Sequence, residues 1–361
     1  MSGPLAGLRV VELVGQGPGP YAAMILADLG CDVIAVERTD VVAGVDASRQ
    51  ATNPMMRGKR SVAIDLKAAD GAEQLLALVD RADVFVDPFR PGVCERLGVG
   101  PEVACARNER LIYGRMTGFG QQGPLAQAAG HDINYIALSG ALHMIGQAGA
   151  APTFPINLLG DFAGGGVMLV LGVACAAFER STSGRGQVID AAMVDGAAMI
   201  LGPFFAAAAS GHWGERGTNH LDGAAPFYNV YETADAKWVS VGAIEPHFHA
   251  ELYRLLGLAA PGQWERDQWP ARKAQLADVF RARTRDEWCS VMEGGDACFA
   301  PVLAPGEVEV HHHTVARQVV TRINGVPQAN PAPRFSRTPA AAGEPCHPGE
   351  HSIDDVLSSW N

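Results

Sequence analysis

Apolar residues crowd Leu8-Arg9-Val10-Val11-Glu12-Leu13 too closely for an exposed segment, and the run predicts a buried strand. A glycine- and proline-rich stretch, Gly15–Pro20, reads as a loop. Tyr21–Leu29 then carries apolar residues at helical spacing, and Asp32–Val36 is a second strand. This is the opening of a βαβ series, which predicts a parallel sheet. The series continues with a strand at Ser61–Asp65, a helix near Gly71–Ala82, and strands at Val84–Asp87 and Leu111–Met116. A long helix is expected from Asp161, and Gly186–Ala191 returns as a strand. The apolar run Phe162–Phe178 is shorter than the ~20 residues a membrane span needs. Its three glycines and leading aspartate also favour a buried core helix.

The pattern then changes character. Tyr228–Glu232 and Trp238–Val241 flank an acidic turn and predict a hairpin. Amphipathic helices follow near Pro246–Leu256 and Arg272–Arg283. The expected fold is α/β, with a large Rossmann-like parallel-sheet domain (1–190, rejoined by 331–361) and a small α+β domain (230–325). Linker helices span 191–229, and a last helix covers Ile353–Trp360.

A chain of 361 residues with 48% apolar content suits two domains and a substantial core. The net charge of −11 argues against nucleic acid or an anionic membrane as the main partner. Seven cysteines without a C-x-x-C spacing point to reduced thiols in the cytoplasm rather than disulfides or zinc. The opening segment lacks the charged region and long apolar run of a signal peptide.

Chemistry concentrates in a few places. Gly15-Gln16-Gly17-Pro18-Gly19-Pro20 follows a strand but breaks the dinucleotide fingerprint, because proline stands where the third glycine packs helix on strand. Arg38, Arg57, Lys59, Arg60, Lys67, Arg90 and Arg96 form a basic group suited to phosphate oxygens, or else a solvated surface paired with carboxylates. His131 sits in Gly130-His131-Asp132-Ile133-Asn134-Tyr135, and Asp161 opens Gly160-Asp161-Phe162-Ala163-Gly164-Gly165-Gly166. An imidazole is a natural base near neutrality. Asp161 reads as an N-cap or first-turn carboxylate. Glu245-Pro246-His247-Phe248-His249 is discounted as a metal cluster, since 247 and 249 do not face each other in a helix. The triple histidine 311–313 reads as a solvated loop. No metal is expected.

These pieces resemble the family III CoA-transferase superfamily and, within it, the α-methylacyl-CoA racemase branch. Superfamily likeness runs from Gly7–Leu13 through Ala27–Val33, Arg60–Lys67, Arg90-Pro91-Gly92, Glu95–Gly98, Thr117–Pro124 and Gly186–Asp190 to Ala332–Thr338. The racemase branch is marked by Gly130–Tyr135 and Val241–Pro246. The resemblance implies that His131 and Asp161 are two bases and that Glu245 is hydrogen-bonded to His131. It implies that Arg38, Asp65, Leu66, Lys67, Pro88, Phe89, Arg90 and Arg96 hold CoA, together with Gly130, Asp132, Ile133, Asn134 and Tyr135. CoA is then part of the substrate, and no separate cofactor is expected. The implied assembly is an interlocked homodimer. The implied reaction interconverts (2R)- and (2S)-2-methylacyl-CoA thioesters through an enolate.

Backbone N–H groups at the start of the Asp161 helix are the expected donors to the enolate oxygen. Whether burial or the helix dipole governs the Asp161 carboxyl is open at this level. Met193 and Met199 are candidates to meet the acyl tail. The rival reading is a CoA transferase with Asp161 as nucleophile.

Overall fold

The computed structural model describes residues 3–44, 46 and 51–360. They divide into two compact units, Met1–Gly140 with Pro155–Leu201 and Ala316–Asn361, and Ala141–Phe154 with Gly202–Val315.

The first unit is built on a six-stranded parallel sheet. Its strands are β1 (Arg9–Leu13), β2 (Asp32–Glu37), β3 (Lys59–Ala63), β4 (Val84–Asp87), β5 (Ile112–Thr117) and β6 (Val188–Ala192), in the order β3-β2-β1-β4-β5-β6. Successive side chains of a strand point to opposite faces. Val11 accordingly joins a core with Ile34, Phe85, Tyr113 and the C-terminal helix Ile353–Ser359, while Val10 joins one with Ala22, Leu26, Val84 and Leu169. Both faces are covered, which is why the strands read as apolar runs.

The first helix, α1 (Pro18–Asp28), starts three residues earlier than its apolar spacing suggests. Pro18 occupies the first turn, where its missing N–H has no intrahelical partner to lose and its fixed φ suits the helix. Gly17 precedes it at φ 65°, a left-handed conformation that favours glycine. Two further helices of this unit are α2 (Gly71–Val79) and α3 (Asp132–Leu138).

The long helix also begins before its expected start. A wide π-helical stretch, Leu158–Val167, leads into α4 (Met168–Ser183). It is not a wholly buried core helix. Leu169, Val173, Ala176 and Arg180 are buried, whereas Val167, Leu171, Cys175 and Phe178 form an exposed stripe at helical spacing. By length and a mean hydropathy of 1.8 alone, Leu158–Ser183 could cross a bilayer, a test that core helices pass too. After β6, α5 (Met193–Ala209) runs out of this unit.

The second unit has a three-stranded antiparallel sheet, β7 (Tyr228–Glu232), β8 (Trp238–Gly242) and β9 (Phe299–Pro301). The expected hairpin is its first pair. Its helices include α6 (Pro246–Leu255), α7 (Trp269–Phe280), α8 (Arg285–Met292) and α9 (His312–Ala316). Tyr231, Val239, Leu252, Leu276, Phe280 and Trp288 form its core.

Candidate active site

Open parallel sheets bind ligands beyond the carboxyl ends of their strands, where the strand order reverses. Here the order reverses between β1 and β4. The loops leaving those strands, Gln16–Pro18 and Pro88–Arg90, line a cavity of about 480 Å³ with Met116–Phe119 at the end of β5. His131, Tyr135, Asn157, Asp161 and Met193 also line it.

Two elements bring the candidate bases to this cavity. His131 is the exposed N-cap of α3, and its backbone N–H donates to Asn134 Oδ1 at 3.0 Å. Asp161 lies in the first turn of the π-helical stretch and is half-buried. The element Leu158–Val167 is joined to α3 by one buried side chain. Asp132 Oδ2 accepts from the N–H of Gly160 at 2.6 Å and of Asp161 at 2.8 Å. Asp132 is His131's neighbour in the chain, so this carboxylate ties both candidate bases to one anchor.

That bond corrects one expectation. The N–H groups of Gly160 and Asp161 are occupied by Asp132, so they are not the donors for an enolate oxygen. The surroundings of Asp161 also bias its protonation. Burial pushes the Asp161 carboxyl above its ordinary value of 3.8. A hydrogen bond from Asn157 Nδ2 at 3.1 Å pulls it down, the Asp132 charge adds to burial, and His131 opposes both. Burial is the largest influence, and the net direction is up. A carboxylate so placed is a stronger base than an exposed one.

The residues expected around CoA distribute along the same carboxyl edge of the sheet. Arg38 follows β2, Asp65-Leu66-Lys67 follow β3, and Arg90 and Arg96 follow β4. Pro88, Phe89, Arg90, Gly130 and Tyr135 line the cavity itself, and Arg90 is exposed. Arg38 is exposed and paired with Asp40, and Lys67 N–H donates to Asp65 Oδ1 at 2.9 Å in a tight turn. Asn134 is spent on capping α3, and the Tyr135 hydroxyl donates to the Gly130 carbonyl. Ile133 is exposed on α3.

The basic group separates into two sets. Lys59 is fully buried against Glu12 at 2.6 Å, Arg57 is buried against Asp28, and Arg60 pairs with Asp32 at 2.6 Å. These three cross-brace neighbouring segments and cannot offer charge to a phosphate. Glu245 stands in the second unit as the exposed N-cap of α6 and makes no capping bond to its own helix.

Several cavity residues escaped the sequence reading as site residues, among them Gln16, Gly17 and Asn157. Asn157 sits four residues before Asp161, a spacing that brings side chains together once the helix is known to start at Leu158. A Cβ at Gly17 would lie 3.2 Å from Asp161 Oδ2, so backbone approaches the carboxylate closely there.

Comparison with known proteins bears on this geometry. The chain is 46% identical to "Alpha-methylacyl-CoA racemase" of Mus musculus over 97% of its length and 92% of that protein. It is also 46% identical to the Homo sapiens protein of that name, over 99% of this chain and 93% of that one. The crystal structure of a CAIB/BAIF family protein from Brucella suis superposes with a TM-score of 0.83 at 26% identity, covering 100% of both chains. The family model for CoA-transferase family III matches residues 5–352. The chain belongs to CoA-transferase family III.

Proposed function

We propose that this protein is an α-methylacyl-CoA racemase, interconverting the (2R) and (2S) epimers of 2-methylacyl-CoA thioesters. The observation that carries the reading is the pairing of His131 and a half-buried Asp161 on one cavity wall, tied together through Asp132. Relatives named as racemases support it.

In the proposed cycle one base takes the α-proton from one face of the substrate. The C–H electron pair moves into the thioester, giving an enolate. The conjugate acid of the other base returns a proton to the opposite face. Raised basicity at Asp161 narrows its gap to the weakly acidic α-carbon. Glu245 is assigned the role of orienting His131. Met193, on the cavity wall, is placed to meet the substrate near its reacting end, whereas Met199 is largely exposed on α5.

Wild-type enzyme in D₂O should exchange the α-proton of either epimer and carry both toward an equal mixture, followed by NMR. No deuterium uptake, together with CoA transfer to a free carboxylate, would favour the alternative, an acyl-aspartyl transferase mechanism at Asp161.

The first unit is the proposed CoA-binding domain, with Arg38, Lys67, Arg90 and Arg96 as the phosphate-facing charges. Arg90→Ala should raise KM more than it lowers kcat, and substrate binding should weaken with salt. An unchanged KM would move the phosphates elsewhere.

The proposed assembly is an interlocked homodimer. The apolar stripe Val167-Leu171-Cys175-Phe178 supports it, because contiguous exposed apolar surface usually marks an interface. Sedimentation at assay concentration should show a dimer, and an active monomer would end this reading. The cytoplasm is the proposed compartment, in keeping with seven free thiols.

A further inference from the structure

The triple histidine reads as a solvated loop in the sequence, and His312 and His313 are indeed exposed. His311 is different. Its side chain is only 18% exposed, and it turns toward Glu293, the C-cap of α8. His311 Nε2 lies 2.8 Å from Glu293 Oε1, yet neither of its ring nitrogens makes a well-aligned hydrogen bond among the described residues. A buried imidazole nitrogen without such a partner is costly unless something else engages its lone pair.

His312 Nε2 is 3.7 Å from the same Glu293 oxygen, and the two rings lie 4.5 Å apart. Adjacent residues within a helix do not share a face. Here His311 precedes α9 and His312 is its first residue, so the chain bends between them and both rings reach one carboxylate. One ligand atom from each of the three residues falls within 4.8 Å of the others.

We propose that Glu293, His311 and His312 form a binding site for a divalent transition-metal ion, with zinc the best match. Zinc takes imidazole nitrogen and carboxylate oxygen at about 2.0–2.2 Å, which places tetrahedral ligand atoms about 3.3 Å apart. The observed separations of 2.8 and 3.7 Å bracket that value and need only small side-chain rotations. Two nitrogens and one oxygen suit zinc better than the oxygen-only preference of magnesium or calcium. The Cys289 thiol, one turn earlier on α8, lies within hydrogen-bonding reach of Glu293. It serves as the outer partner that orients a ligating carboxylate. The ion would tie the end of α8 to the start of α9 within the second unit. The site is independent of the proposed racemase chemistry.

The test uses tag-free, metal-stripped, full-length protein. Zn²⁺ alone is titrated against a chromophoric chelator, and Co²⁺ alone is followed by its visible spectrum. One equivalent per chain and a tetrahedral Co²⁺ spectrum are expected. Glu293→Gln and His312→Ala should each weaken binding by about 100-fold or more, on the scale at which zinc sites respond to lost partners. His313→Ala should leave binding unchanged. His312 is exposed, so its variant should keep the fold, checked by circular dichroism and by α-proton exchange. Absence of binding overturns the site. So does full affinity in Glu293→Gln, or equal damage from His313→Ala, either of which would mean chelation by a bare histidine run.

Discussion

Replacing His131 with alanine should sharply reduce epimerisation while leaving single-face proton exchange. On the two-base reading His131 serves one epimer and Asp161 the other. His131→Ala should then take up deuterium from one epimer only, and Asp161→Ala from the other. Net epimerisation should fall about 10³-fold or more in each, about 4 kcal/mol of barrier. The double variant should lose little beyond either single one, since the residues act as a unit. The direction that depends on Asp161 as base needs its carboxylate ionised. Because burial raises that pKa, its rate should fall with decreasing pH from a point above the ordinary carboxylate value of 3.8. Chiral chromatography with deuterium NMR reads both outcomes. If His131→Ala epimerises both substrates at near wild-type rate, Asp161 alone is the working group and transferase chemistry regains the lead.

Asp132→Ala should be nearly as damaging although the side chain bears no assigned chemistry. It would leave the buried N–H groups of Gly160 and Asp161 without their acceptor. Bonds to a charged acceptor contribute about 1.5–3 kcal/mol each, so a stability loss of about 3 kcal/mol or more is expected by denaturant unfolding. Below the unfolding range kcat should still collapse, because the spacing between His131 and Asp161 is no longer held. KM should change less if Asp132 positions the bases rather than contacting CoA. Gly160→Ala is an independent probe, because its Cβ would fall 2.7 Å from Asp132 Oδ2 and push the carboxylate aside. A main effect on KM in both variants would return Asp132 to the substrate-binding role implied by the family resemblance.

The contrast between Asp161 and Asp132 shows what the sequence made legible. The parallel sheet was readable because strands buried on both faces leave mostly apolar runs at β1, β2 and β4. Pro18 and Pro20 read as breakers and set the expected start of α1 at Tyr21, although the first turn of a helix tolerates proline. A carboxylate before an apolar run resembles a cap, which sets the expected start of the long helix at Asp161. The true N-cap is Asn157, and the capping role toward these amides falls to Asp132, 29 residues before Asp161. No local pattern signals that bond. The division of the basic group into paired and exposed members was hidden for a similar reason. Nothing in the spacing of Arg57, Lys59 and Arg60 reveals that Asp28, Glu12 and Asp32 already neutralise them.

The three glycines after Asp161 leave almost no clearance around the segment that carries it. A methyl group on Gly164 would come within 2.8 Å of the Ala197 backbone, one on Gly196 would overlap the Gly164 carbonyl, and one on Gly166 would strike the Tyr21 ring. Main chain therefore abuts main chain on more than one side of the carboxylate's support. On the proposed reading, the segment that carries Asp161 has little room to shift for a substrate of different shape. Tolerance for varied acyl groups would have to reside where the tail leaves this rigid seat, so breadth of substrate and precision of proton placement would be governed by separate parts of the protein.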